Sequence, residues 1–149
     1  MLHETNHDVV LIDGDCYIKE QTPNFKKFLR PDKSIYYVNG RSGRLNSGFL
    51  YFKNDQHSKD FVSELITKLG RSLPSGKGYF VTPEGENGHV IWIKDEWEKA
   101  GRDIFHELPK HYNCSLKSLQ HQAYILHFTN ELRRGIHGYR KMYEDKKDL

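Results

Sequence analysis

Apolar and polar positions along the chain fall into short blocks whose spacing switches between the strand period and the helix period. Asp8 to Ile12 (DVVLI) is a β-branched apolar run entering an acidic turn, which predicts a buried strand. Pro23 to Leu29 places Phe25, Phe28 and Leu29 at helical spacing, so a short helix is expected before Pro31. Ile35 to Val38 reads as a second strand, Asn39 to Arg44 (NGRSGR) as a turn-rich loop, and Gly48 to Lys53 as a third strand. After Asp55 the apolar positions Phe61, Val62, Leu65, Ile66 and Leu69 trace one helix face, with Gly70 placed to end it. Residues 74–88 are glycine-rich and loop-like around a short Tyr79–Val81 strand. Val90 to Ile93 fits a strand or the start of a helix running through Trp97, and Gln122 to Phe128 fits a late buried strand. From Asn130 the tail reads as a charged helix weakened by two glycines. Alternating strands and helices predict an α/β domain spanning residues 1–149, with helices packed on a sheet.

Composition narrows the class. The 149 residues are 36% apolar, 29% charged and 13% aromatic, with two alanines, which disfavours a helical bundle or a disordered chain. No stretch approaches the roughly 20 apolar residues of a membrane span. The first fifteen residues lack the basic, apolar and small-residue regions of a cleaved leader, and Cys16 and Cys114 make no disulfide framework, so a reducing, cytoplasmic setting is expected. A net charge of +3 gives no reason to expect nucleic acid as the partner.

Asp13-Gly14-Asp15 follows the first strand, and carboxylates at i and i+2 across a glycine turn can converge on one hard divalent cation. Asp and Gly are also ordinary turn residues, so a plain surface turn stands as the alternative. Asn46-Ser47-Gly48 offers an amide for a sugar hydroxyl and a glycine that lets a ligand approach the backbone, or simply a turn before a strand. Glu84 and Glu86 form an acidic loop, either a general acid and base or solvated carboxylates. His127 ends an apolar strand, where it is a hydrogen-bonded structural histidine or the imidazole completing a metal site. Arg133 and Arg134 follow it, a guanidinium pair able to clamp a diphosphate or a solvated helix face. Ser75-Gly76-Lys77-Gly78 lacks the spacing of a phosphate loop.

Taken in order, these pieces resemble the carboxyl-terminal half of a GT-A-type nucleotide-sugar glycosyltransferase, closest in flavour to the glycogenin-like family 8. The strand entering Asp13-Gly14-Asp15 resembles that superfamily's Asp-x-Asp element. Leu45-Asn46-Ser47-Gly48 with its following helix resembles an Asn-[Ser/Ala]-Gly strand, Leu108-Pro109-Lys110-His111-Tyr112-Asn113 a Leu-Pro-x-x-Tyr-Asn segment, and Ile125-Leu126-His127-Phe128-Thr129 the closing His-Phe-[Thr/Ala] strand. The resemblance covers residues 8–134 and implies a partial GT-A mixed sheet with flanking helices, its amino-terminal nucleotide-binding half largely missing. It implies transfer of a sugar from a UDP- or GDP-sugar to a glycan, lipid or protein acceptor. Asp13, Asp15 and His127 would hold Mn²⁺ or Mg²⁺, with Asp13, Asn46, Ser47, Gly48, Arg133 and Arg134 on the donor. Glu84 and Glu86 stand near the place of an Asp-Gln pair and are the expected catalytic carboxylates. Asn130-Glu131-Leu132-Arg133-Arg134 departs from the Gly-Pro and Lys-Pro-Trp usual in that branch.

Only seven residues precede the first strand, so an exposed sheet edge covered by a second copy or a partner chain is expected. A non-catalytic module of the same fold is the alternative function. A basic accessory protein using Arg41, Arg44, Arg133, Arg134, Arg140 and Lys141 is a third reading, but its tail charges alternate with Glu131, Glu144, Asp145 and Asp148.

Overall fold

The computed structural model describes residues 6–74, 86–129 and 132–133. Its strands are β1 (Val9–Ile12), β2 (Cys16–Ile18), β3 (Ile35–Asn39), β4 (Leu45–Phe52), β5 (Phe105–Glu107) and β6 (Ile125–His127), and its helices are α1 (Gln56–Lys68) and α2 (Asn87–Lys99). Four strands form a mixed sheet in the order β1-β4-β3-β5, in which only β3 and β5 run parallel. β2 and β6 pair antiparallel in a separate ribbon. Among the described residues, no helix is long and apolar enough to cross a membrane.

The two-residue period explains why β3 and β4 are buried on both sides. Ile35, Tyr37, Leu50 and Phe52 point to one face and pack with Phe61 of α1 and with Val90, Ile93 and Trp97 of α2. Tyr36, Val38, Phe49 and Tyr51 point to the other, against Leu108, Tyr112 and Ile125. Phe25, in a 3-10 turn over Phe25–Phe28, meets Phe49, Tyr51 and Tyr112 edge-on at 5.1–6.2 Å between ring centres. The expected short helix is thus one tight 3-10 turn that delivers an aromatic plug.

α1 begins where the Asp55 carboxylate accepts the Ser58 N–H at 2.9 Å, and fully buried Phe61 anchors it, a contribution of about 1.5–3 kcal/mol. Residues 90–93 resolve as helix: α2 runs from Asn87 to Lys99 and buries Val90, Ile91, Ile93 and Trp97. The Trp97 indole donates to Glu64 at 2.7 Å, and Lys68 bridges Glu64 and Glu96, tying the two helices together. Gly70 does not take the left-handed conformation; the chain leaves α1 through Leu69, still in right-handed helical geometry.

Two expectations are corrected. The late strand is three residues long, Ile125–His127, because residues 122–124 make the turn that leads into it. The first strand is not buried: β1 is the edge of the sheet, and Val10, Leu11 and Ile12 are 40%, 43% and 37% exposed. A β-branched run states strand propensity, and the absence of a neighbour beyond β1 among the described residues decides the burial. The Tyr79–Val81 strand and the tail helix lie outside the described residues.

Candidate active site

One irregularity in β4 creates the site. As β3 advances from Tyr37 to Val38, its partner on β4 jumps from Leu50 to Asn46, so Ser47, Gly48 and Phe49 have no partner on β3. Their backbone groups turn to other elements. The Ser47 N–H donates to the Asn87 side chain at the start of α2 (2.8 Å), and the Gly48 N–H donates to Asn46 Oδ1 (2.9 Å). The Gly48 carbonyl accepts the Asp13 N–H (3.1 Å), which fixes the turn after β1.

That turn is closed by the Cys16 N–H donating to the Asp13 carbonyl (3.1 Å), and it directs Asp13 and Asp15 to the same side. Cys16 pairs with His127 across β2 and β6, and the Phe128 N–H donates to the Asp15 carbonyl, so the ribbon delivers the histidine to both carboxylates. His127 Nε2 lies 3.4 Å from Asp13 Oδ2 and 3.2 Å from Asp15 Oδ1. The ring is 5% exposed, its Nδ1 is buried without a hydrogen-bond partner, and its polar edge therefore faces the carboxylates. Burial raises the Asp13 carboxyl above its ordinary range; nearby His127 opposes this, while Glu86 and Asp15 add to it.

The donor set fits a hard or borderline divalent cation. Donors about 2.1 Å from an octahedral ion lie about 3 Å apart along an edge, close to the separations here. Among the described residues, the ligand atoms that lie within 4.8 Å of one another are those of Asp15, Cys16 and His127; Asp13 joins them through its contact with the imidazole. Cys16 is the poorer ligand, because burial and the two carboxylates push its thiol up to about 12 and its Sγ is turned to the Gly48 carbonyl at 3.7 Å.

Gly48 does different work from that expected of it. A Cβ there would lie 2.4 Å from His127 Cε1 and 2.5 Å from Nδ1, so the missing side chain makes room for the imidazole rather than for a ligand. Asn46 is likewise committed on one side: its Oδ1 accepts from Gly48 and from the Asn113 amide at 2.8 Å. Asn113 is buried and ends the Leu108–Asn113 segment, a supporting role that its sequence position did not reveal.

These residues open onto a pocket of about 760 Å³. Asp13, Asp15, His127 and Thr129 line one part of it, and Asn46, Ser47, Glu86, Asn87 and Ile91 line another. The β3–β4 hairpin supplies Gly40, Arg41, Ser42 and Arg44. Of the residues expected at the site, Asp13, Asp15, Asn46, Ser47, Glu86 and His127 therefore gather around this pocket, with Gly48 directly behind. Arg133 is exposed and is not among its lining residues, and Glu84 and Arg134 lie outside the described residues. Asn87 joins the site unannounced, and Arg41 and Arg44, named in the sequence only for the basic-accessory reading, line it as well. Turn residues and a helix start carry no spacing that points to a pocket.

No protein-family model matches the chain, and no curated protein does. Two glycosyltransferases are among the solved structures that share the fold. One is a glycosyltransferase involved in the glycosylation of the major capsid of PBCV-1, with a TM-score of 0.59 and 15% identity over 91% of this chain and 66% of that one. The other is the glycosyltransferase GlyE of Streptococcus pneumoniae TIGR4, with a TM-score of 0.52 and 17% identity over 85% of this chain and 35% of that one. The chain has the mixed α/β fold of these glycosyltransferases and spans about two thirds of the length of one and about a third of the other.

Proposed function

We propose that this chain carries the metal- and donor-binding part of a nucleotide-sugar glycosyltransferase. The observation that carries the reading is that the His127 imidazole lies within 3.4 Å of both the Asp13 and the Asp15 carboxylates at the edge of the pocket. The fold shared with two glycosyltransferases supports it.

In this reading Asp13, Asp15 and His127 hold Mn²⁺ or Mg²⁺. The bound cation would neutralise charge developing on the departing nucleoside diphosphate. The chain's own contribution is preorganisation. Gly48 seats the imidazole, the Asp13–Gly48 hydrogen bond fixes the carboxylate turn, and the Asn46–Asn113 pair holds the irregular segment of β4. In this reading Glu86, which is exposed at the head of α2 and lines the pocket, would accept a proton from an acceptor hydroxyl. The acceptor belongs to the glycan, lipid or protein class. A second reading, a nucleotide-sugar-binding module without turnover, is favoured by the share of the neighbours' length that the chain spans.

The test is calorimetric titration of UDP, GDP and their sugars with and without Mn²⁺, using the native chain and Asp15→Asn. Metal-dependent binding of one nucleotide, lost in the variant while its circular dichroism is unchanged, is the expected result. Equal affinity in both proteins would reduce the Asp-Gly-Asp turn to a structural feature. Transfer to water or to a simple sugar then separates the enzyme from the binding module.

A further inference from the structure

The cations that line the pocket are not the pair that follows His127 in sequence. They are Arg41 and Arg44, on the hairpin between β3 and β4. This hairpin is a tight, self-closed turn. The Gly40 N–H donates to the Arg44 carbonyl (2.8 Å), the Gly43 N–H donates to the Gly40 carbonyl (3.1 Å), and Gly43 takes a left-handed φ of 74°. Arg41, Ser42 and Arg44 are therefore presented from a short, fixed loop, which lowers the entropy lost when their side chains engage a ligand.

The charge around the pocket is divided. Asp13, Asp15 and Glu86 form its acidic part, and the charges acting on the Asp13 carboxyl come from His127, Glu86 and Asp15. The hairpin supplies two guanidiniums and the Ser42 hydroxyl. Guanidinium forks recognise the flat, two-oxygen edge of a phosphate or carboxylate, and two arginines of one short loop lining the pocket suit an oxyanion better than a neutral sugar.

We infer that Arg41 and Arg44 form an oxyanion subsite of this pocket, which takes a phosphate or carboxylate group of the substrate. The inference rests on the proposed function in one respect only, that the ligand entering the pocket also reaches the carboxylate–imidazole cluster. An oxyanion here has two sources, the diphosphate of the donor or an acidic group on the acceptor.

The experiment uses inorganic pyrophosphate as the probe, in low-salt buffer with a chelator so that the carboxylate cluster cannot contribute through a metal. Binding is followed by NMR shifts of the Gly40, Ser42 and Gly43 amides. The native chain and Arg133→Gln are expected to bind equally, and R41Q/R44Q is expected to lose about tenfold or more, the effect of removing charge-assisted hydrogen bonds. Lysine at both positions should recover only part of the affinity, because a point charge replaces a planar fork. No binding by the native chain, unchanged binding by a folded R41Q/R44Q, or an equal loss in Arg133→Gln would overturn the subsite. Its source is then read with UDP or GDP and Mn²⁺. A comparable loss of nucleotide affinity in R41Q/R44Q assigns the subsite to the donor diphosphate. Unchanged nucleotide affinity, with pyrophosphate still binding beside saturating nucleotide, assigns it to an acidic acceptor. Pyrophosphate binding at the hairpin with no metal-dependent nucleotide binding would keep the subsite and sink the proposed function.

Discussion

Exchanging Gly48 for alanine adds one methyl group at the most crowded point of the site. Its carbon would lie 2.4 Å from His127 Cε1, 2.5 Å from His127 Nδ1 and 2.8 Å from Asn46 Oδ1. Carbon atoms settle about 3.5–4.0 Å apart, so the ring and the strand must separate by about 1 Å. Neither side yields freely. The Gly48 carbonyl holds Asp13, its N–H is held by Asn46, and His127 is locked into the ribbon by its pairing with Cys16. Overpacking of this kind costs about 1–3 kcal/mol, which for a domain of this size lowers Tm by about 2–12 °C. The consequence for ligation is sharper, because a ring displaced by about 1 Å takes Nε2 away from both carboxylates, and disturbed ligand support costs about 10–100-fold in metal affinity. The assay is Mn²⁺ titration with a thermal melt on G48A, and G14A is the control. A Cβ at Gly14 would meet nothing within 4 Å and its φ is not left-handed, so G14A should bind Mn²⁺ like the native chain. A folded G48A with Mn²⁺ affinity within twofold of native, or a G14A equally impaired, would refute the reasoning.

Three further outcomes are expected. Asn113→Ala removes the amide that supports Asn46 Oδ1 and should cost about 1–2 kcal/mol in chemical denaturation, with a weaker Mn²⁺ site as a second readout; unaltered stability would show the pair to be incidental. The Asp8 carboxylate accepts from the Tyr51 hydroxyl at 2.5 Å and from the Asn54 N–H at 2.9 Å, and the Tyr51 bond chiefly holds its pKa below the ordinary 3.8. A lowered folded pKa gives stability that is present above about 3.8 and lost as pH falls through the folded value, so Asp8→Asn should flatten the acid limb of a stability–pH curve and leave its slope near pH 7 unchanged. Finally, among the described residues β1 is an edge without a further neighbour and carries three half-exposed aliphatic side chains, so the chain should self-associate in sedimentation equilibrium and Leu11→Lys should weaken that association; a native chain that stays monomeric at every concentration would count against edge pairing.

Much of this arrangement is legible in the order of residues. The packed side of α1 at Phe61, Val62 and Leu65 and the two-sided runs of β3 and β4 follow from periodicity, whereas Ile66 and Leu69 of the same expected face are 66% and 44% exposed; the acidic turn is visible because a strand runs straight into it. What escapes is set by neighbours distant in the chain. β2 and β5, three residues each, are too short to show a period. The exposure of β1 depends on what stands beside it, which a β-branched run does not encode. Gly48 is plain as a glycine, yet its reason is an imidazole on β6. Arg41 and Arg44 belong to a turn, and turn composition reports backbone shape rather than the pocket the turn overhangs.

The break in the β3–β4 ladder sets stability against usefulness at a single spot. A designer aiming for a more robust sheet would restore the β3–β4 register by trimming the residues between Asn46 and Leu50 that have no partner on β3. The regular sheet that resulted would lose the carbonyl that positions Asp13, the N–H that engages α2, and the gap that admits His127. Variants selected for heat resistance alone should therefore drift toward repairing this stretch, and the ones that keep the irregularity will be those still under demand for what it assembles.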